Sequence, residues 1–153
     1  MTKKCPQDGG FIGDAGCTHP NHQHSDLVKK VISSSANPSM MSETDATDAL
    51  TEGFYVSDPS GKRLGFGKGL LNHIDNDPNH APGDAKARKE RLQFAVATVT
   101  HPDRKETNHR MIPGRTAYTK AFKDFGIIAI TEKESDAIAK VFTYFPRRGG
   151  KKR

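Results

Sequence analysis

The chain has 153 residues, enough for about one domain. Hydrophobic residues make up 33% of it and only Cys5 and Cys17 are present, which excludes a disulfide scaffold and fits a reducing compartment. Net charge is +6 and unevenly spread: residues 1–83 hold 7 Lys/Arg against 10 Asp/Glu, residues 84–153 hold 17 against 8, a balance that suits either a polyanion partner or a solvated basic surface.

The opening Met-Thr-Lys-Lys-Cys turns polar and glycine-rich without a signal-peptide pattern, and no apolar run approaches the roughly 20 residues that span a bilayer. A cytoplasmic protein with no membrane partner is expected. Residues 1–24 lack any period. Cys5, eleven residues before Cys17, is followed by His19, His22 and His24. Thiolates and imidazoles are zinc ligands, and a tail too polar to fold alone gains from metal. Yet fingers usually pair cysteines two to four residues apart. The segment is therefore either a structural zinc site, with Cys5, Cys17, His19 and His24 as ligands, or a His-rich lead without structure.

A short helix is expected over residues 25–36, capped by Ser25 or Asp26, with Leu27, Val28, Val31 and Ile32 in one stripe. Asn37-Pro38-Ser39 breaks it. Ser42-Glu43-Thr44-Asp45 opens a weak helix that ends near Gly53, inside an otherwise polar, linker-like stretch. The compact domain is expected to begin at Phe54. A hairpin, 54–57 and 63–66, turns at Asp58-Pro59-Ser60-Gly61. A helix over 68–75 follows, then a loop, then one long helix over 85–100 that Asp84 caps and Pro102 stops. Strands are expected over 109–112, 116–122, 125–131 and 137–145, with a turn over 132–136 and Pro146 as terminator. Residues 147–153 form a basic tail. The expected division is thus 1–53, a partly helical N-terminal segment; 54–146, an α+β domain with a curved antiparallel sheet and helices packed on one face; and 147–153.

Four words stand out in this order: Gly67-Lys68-Gly69-Leu70-Leu71-Asn72-His73-Ile74; the helix through Ala97 to His101-Pro102-Asp103; Thr116-Ala117-Tyr118-Thr119-Lys120-Ala121-Phe122; and Lys140-Val141-Phe142-Thr143-Tyr144-Phe145-Pro146. In order and spacing, residues 65–145 resemble the phage-associated nucleases of the barnase–EndoU–colicin–RelE group. The resemblance implies a toxin-like or phage-encoded endoribonuclease, acting in a bacterial host cell or on a phage particle. It implies RNA as partner, an inhibitor, immunity or phage protein as a second partner, and no cofactor for catalysis.

Metal-independent RNA cleavage needs a base for the 2′-hydroxyl, an acid for the leaving 5′-oxygen and cations for the phosphorane. His73 suits proton transfer; its place beside Leu71 and Ile74 equally suits a structural histidine. His80 and His109 are weaker candidates. Tyr118 and Lys120 share one face of their strand, with Arg115 at its start. Thr143 is expected on a face with Ala139, Val141 and Phe145, opposite Lys140, Phe142 and Tyr144. The resemblance gives Thr143 a phosphate-binding role; packing alone is the other reading. The expected site is therefore His73, Lys120, Thr143, Arg115 and Tyr118, with Lys86, Arg88, Arg110, Lys140, Arg147 and Arg148 holding nucleic acid. The rival is a basic protein without catalysis, coating nucleic acid or docking on a nucleic-acid machine.

Overall fold

The computed structural model describes residues 12–13, 16–17, 25–76, 84–123, 125–134 and 138–147. Strands β1 (Ile12–Gly13) and β2 (Gly16–Cys17) form a two-stranded antiparallel ladder. Helix α1 (Asp26–Ser33) starts at Ser25, whose hydroxyl oxygen accepts from the Val28 N–H at 3.2 Å. A 3-10 turn, Ser34–Ala36, leads on to α2 (Glu43–Glu52), where Ser42 accepts from the Asp45 N–H at 3.0 Å. Gly53 ends α2 with φ of +81°, a value that costs glycine little.

Val28, Val31, Ala46, Ala49 and Leu50 are fully buried and belong to one core with Phe54, Leu64 and Phe66. The expected boundary between residues 53 and 54 therefore cuts through the core. The stretch over 33–52 has few apolar residues, but Ala46, Ala49 and Leu50 among them turn inward, so its helical part is a packed element and not a linker.

The hairpin β3 (Phe54–Ser57) and β4 (Arg63–Phe66) forms as expected, and the rings of Phe54 and Phe66 stack at 5.1 Å. Next come α3 (Lys68–Asn76), α4 (Asp84–Glu90) and α5 (Leu92–Thr100). Where one helix was expected over 85–100, Arg91 at φ −101° and ψ 19° divides it into two. The edge strand β5 (Arg104–Thr107) precedes the expected one; residues His109–Met111 form a 3-10 turn instead. Asn108, Arg110 and Met111 there have φ of +50°, +54° and +62°, which no strand admits. Strands β6 (Arg115–Ala121), β7 (Gly126–Lys133) and β8 (Ile138–Arg147) complete the sheet. Pro146 does not end β8. Only residues 138–140 of β8 pair with β4, so among the described residues one side of the strand has no partner strand where the proline sits.

The strand order is β3-β4-β8-β7-β6-β5, antiparallel except for the parallel pair β4–β8. This is the expected α+β architecture, with helices laid on one face. The sheet curls round its core. The β3–β4 turn, at one edge, presents Asp58 to the Tyr118 hydroxyl of β6 at 2.7 Å and to Lys105 Nζ of β5 at 3.0 Å, at the other edge. A β-bulge near Phe142 interrupts β8: Ile130 faces Thr143 while Thr131 faces Val141. It corrects the face assignment. Ala139 and Val141 are core, Tyr144 joins them, and Thr143 and Phe145 take the opposite side with Lys140.

Candidate functional site

Register and burial separate the two faces of the sheet. On β7, Ile127, Ala129 and Thr131 are buried on the core side; Ile128, Ile130 and Glu132 are half-buried on the other. Their cross-strand partners build rows on that open face. One row reads Arg115, Glu132, Lys140; the next Glu106, Ala117, Ile130, Thr143; the third Arg104, Thr119, Ile128, Phe145. Small and aliphatic residues thus occupy the centre, and charged groups the rim.

Four side chains meet at the β8 end of these rows. The ring of His73, from α3, lies 4.6 Å from the ring of Phe142, and the Arg115 guanidinium lies over the same ring at 5.2 Å. Arg115 also makes a short ion pair with Glu132. A chain of contact therefore runs His73–Phe142–Arg115–Glu132 across elements far apart in sequence. A cleft of about 470 Å³ adjoins it, lined by Ile112, Pro113, Gly114, Arg115, Glu132 and Lys133.

Thr143 lies next to Phe142 and is 5% exposed. Its Oγ1 accepts from Arg88 Nη2 at 2.5 Å; Arg88 Nε donates to the Tyr144 carbonyl at 2.8 Å, and the Tyr144 hydroxyl donates to the Arg88 carbonyl at 2.7 Å. The helix break at Arg91 lets α4 run this guanidinium along the free edge of β8. A hydroxyl that accepts from arginine retains its own hydrogen for donation. Arg88 is fully buried, so its expected place on a nucleic-acid surface is corrected: it positions Thr143. Burial drives the Tyr144 hydroxyl above its ordinary range, against the opposing charge of Arg88.

Two more expectations are corrected. Lys120 has the parity of the core face; its Nζ donates to the His101 carbonyl at 2.8 Å and lies 3.6 Å from Asp103. It ties the end of α5 to β6 and does not meet His73 or Thr143. Tyr118 is fully buried and donates to Asp58. Burial first, and Asp58 beside it, push its hydroxyl far above the ordinary range, so it keeps its proton at neutral pH. Strand alternation correctly pairs Tyr118 with Lys120, but that shared face is the inner one.

In the sequence Asp58 reads as a plain turn residue. Its side chain is fully buried and accepts from the Ser60 N–H and hydroxyl, the Lys62 N–H, Lys105 and Tyr118. Burial alone would raise its carboxyl, but the Ser60, Tyr118, Lys105 and Lys62 hydrogen bonds hold it well below the usual carboxylate range. Glu132 was assigned to a turn and is part of β7; counting the alternation onward from Ile128 and Ile130 places it on the open face.

Of the other surface cations, Lys140 stands in the first row, Arg110 is exposed on the β5–β6 connection, and Lys86 is exposed on α4 and paired with Glu90 at 2.8 Å. The Glu90 hydrogen bond and charge raise the Lys86 ammonium above its ordinary value. Arg147 ends β8, and its side chain lies outside the described residues, as do His80 and Arg148. Cys17 ends β2, but its side chain and Cys5, His19, His22 and His24 also lie outside them. Among the described residues no three His, Cys, Asp or Glu side chains gather as metal ligands, and no helix is long and apolar enough to cross a membrane.

At the far end of the rows, Arg104, Glu106, His109, Ala117, Thr119 and Ile128 line a second cavity of about 220 Å³. His109 Nδ1 lies 3.2 Å from Glu106 Oε1. The left-handed backbone at Arg110 and Met111 costs roughly 1–2 kcal/mol per residue, while Asn108 adopts it more readily.

Comparison with known proteins gives no match: no family model, no curated protein and no solved structure matches this chain.

Proposed function

We propose that this protein is a metal-independent endoribonuclease, toxin-like or phage-encoded, whose substrate lies on the open face of the sheet. One observation carries the reading: His73 and Arg115, from a helix and a strand far apart in sequence, converge on the ring of Phe142 beside Glu132 and Thr143. The 2′-oxygen attacks phosphorus, the P–O5′ bond breaks, and a cyclic phosphate remains. His73 and Glu132 are the two groups in this array able to exchange protons with the 2′- and 5′-oxygens. Arg115, half-buried and able to grip phosphate with two parallel hydrogen bonds, offsets the phosphorane charge, a task first expected of Lys120. Lys140 adds a second cation, and Thr143, held by Arg88, donates to a phosphate oxygen.

The second reading is a non-catalytic nucleic-acid binder. It draws on the dispersal of the expected triad, since Lys120 is engaged on the inner face and away from His73. Incubation of the purified chain with total RNA in EDTA, followed by gel analysis, separates the two. Cleavage that disappears in His73→Ala supports the nuclease; intact RNA with a salt-sensitive shift supports the binder.

A further inference from the structure

We propose that the cavity at the β5 end of the open face is a second phosphodiester subsite, formed by Arg104, Thr119 and His109. The substrate is then a single-stranded polynucleotide that spans several phosphates. This inference rests on the proposed function and extends its binding surface.

The two ends of the face are too far apart for one phosphate. Thr119 lies four residues along β6 from Arg115, about 13 Å at strand spacing. Between β8 and β5 lie three inter-strand steps of about 4.8 Å each. Both ends nevertheless share one face, set by the pairs Arg104–Thr119 and Arg115–Glu132. The β5 cavity has its own donors, a guanidinium and a hydroxyl, and beside them the His109 ring, whose second nitrogen is turned away from Glu106. Its floor is Ala117 and Ile128, which leave room and offer apolar contact to a sugar.

The backbone is bent to keep His109 there. Left-handed residues flank it at Asn108, Arg110 and Met111, and its side chain is 18% exposed over β5 while Met111 beside it is 91% exposed. Among the described residues Glu106 is the one acidic group lining the cavity, and its carboxylate faces the imidazole, which orients the ring.

The test uses the full chain and two uncleavable probes, 2′-O-methyl hexauridylate and 2′-O-methyl diuridylate, the latter with a single phosphodiester. Fluorescence anisotropy should show the hexamer bound at least about tenfold tighter than the dimer. Arg104→Ala and His109→Ala should each remove most of that factor and leave dimer affinity unchanged. Arg104 is exposed, so its removal leaves the fold intact. Lys29→Ala, an exposed cation on α1, controls for net charge and should change neither affinity. If Arg104→Ala and His109→Ala behave like Lys29→Ala, or the hexamer binds no tighter than the dimer, the subsite is refuted. If the wild-type chain binds neither probe, the polynucleotide reading beneath it falls as well.

Discussion

Replacing Asp58 with Ala should destabilise the protein by about 1–4 kcal/mol, the cost of stranding a buried hydroxyl and losing a part-exposed ion pair. The structure supports a value in that range. Five donors lose their acceptor at once: the Ser60 N–H and hydroxyl, the Lys62 N–H, Lys105 Nζ and the Tyr118 hydroxyl. The first three lie in a surface turn and water replaces them. Lys105 is one-third exposed, so solvent recovers part of its pairing. Tyr118 is fully buried, and its stranded hydroxyl alone costs about 1–3 kcal/mol. Adding Tyr118→Phe should therefore recover a good part of the loss. Urea denaturation at neutral pH measures both variants through a shift in midpoint at constant slope. The wild type should respond to pH with a definite sign. The Asp58 carboxyl is held below its ordinary value of 3.8 in the folded chain, so its contribution is complete above that value and is lost as pH falls through the acid range below it. Asp58→Ala should flatten that acid limb. A loss under about 1 kcal/mol, or an unchanged acid limb, would show that the turn does not clamp the two edges of the sheet.

His73→Ala should lower RNA cleavage about 100- to 10,000-fold without changing the circular dichroism spectrum. Arg115→Ala should cost about 100-fold or more in kcat, whereas Lys120→Ala should leave cleavage near the wild-type rate, because its ammonium is engaged with the His101 carbonyl on the inner face; equal losses in the two variants would contradict the assigned faces. A chain beginning at Gly53 should fail to fold by circular dichroism, since it lacks Val28, Val31 and Leu50, each fully buried and contributing about 1.5–3 kcal/mol. Metal analysis of protein purified without chelator should find about one zinc per chain if Cys5, Cys17 and two of His19, His22 and His24 form a tetrahedral site.

Local signals carried the elements well. Ser25 and Ser42 cap helices where hydroxyls precede a periodic run, and the hairpin about Asp58-Pro59-Ser60-Gly61 forms with the expected bounds. Long-range consequences were hidden. That α2 belongs to the core is decided by what covers Ala46, Ala49 and Leu50, which no window of sequence reports. That Asp58 is buried depends on how far the sheet curls, a property of six strands together. The four-residue strand β5 is wholly exposed and polar, so it has no apolar alternation, and Thr107 alone is β-branched in it.

The candidate site turns on a single extra residue. Without the bulge, β8 would alternate regularly, Thr143 would share the core face with Val141, and Tyr144 would face outward with Lys140. Inserting one residue near Phe142 reverses every position after it. Thr143 then comes to the open face, and the aromatic ring of Phe142 sits between His73 and Arg115. Tyr144 turns inward, where its hydroxyl meets the Arg88 carbonyl, and the Arg88 side chain in turn binds the Tyr144 carbonyl and Thr143. Those three bonds exist only in the shifted register, so the buried arginine and the bulge sustain each other. A bulge costs the ladder pairing at one residue and here gains a hydroxyl on the face that carries the charged rows. Thr143 is brought by this local irregularity to the side of the sheet that carries Arg115 and Lys140, while Lys120, on a strand without one, stays on the side its alternation dictates.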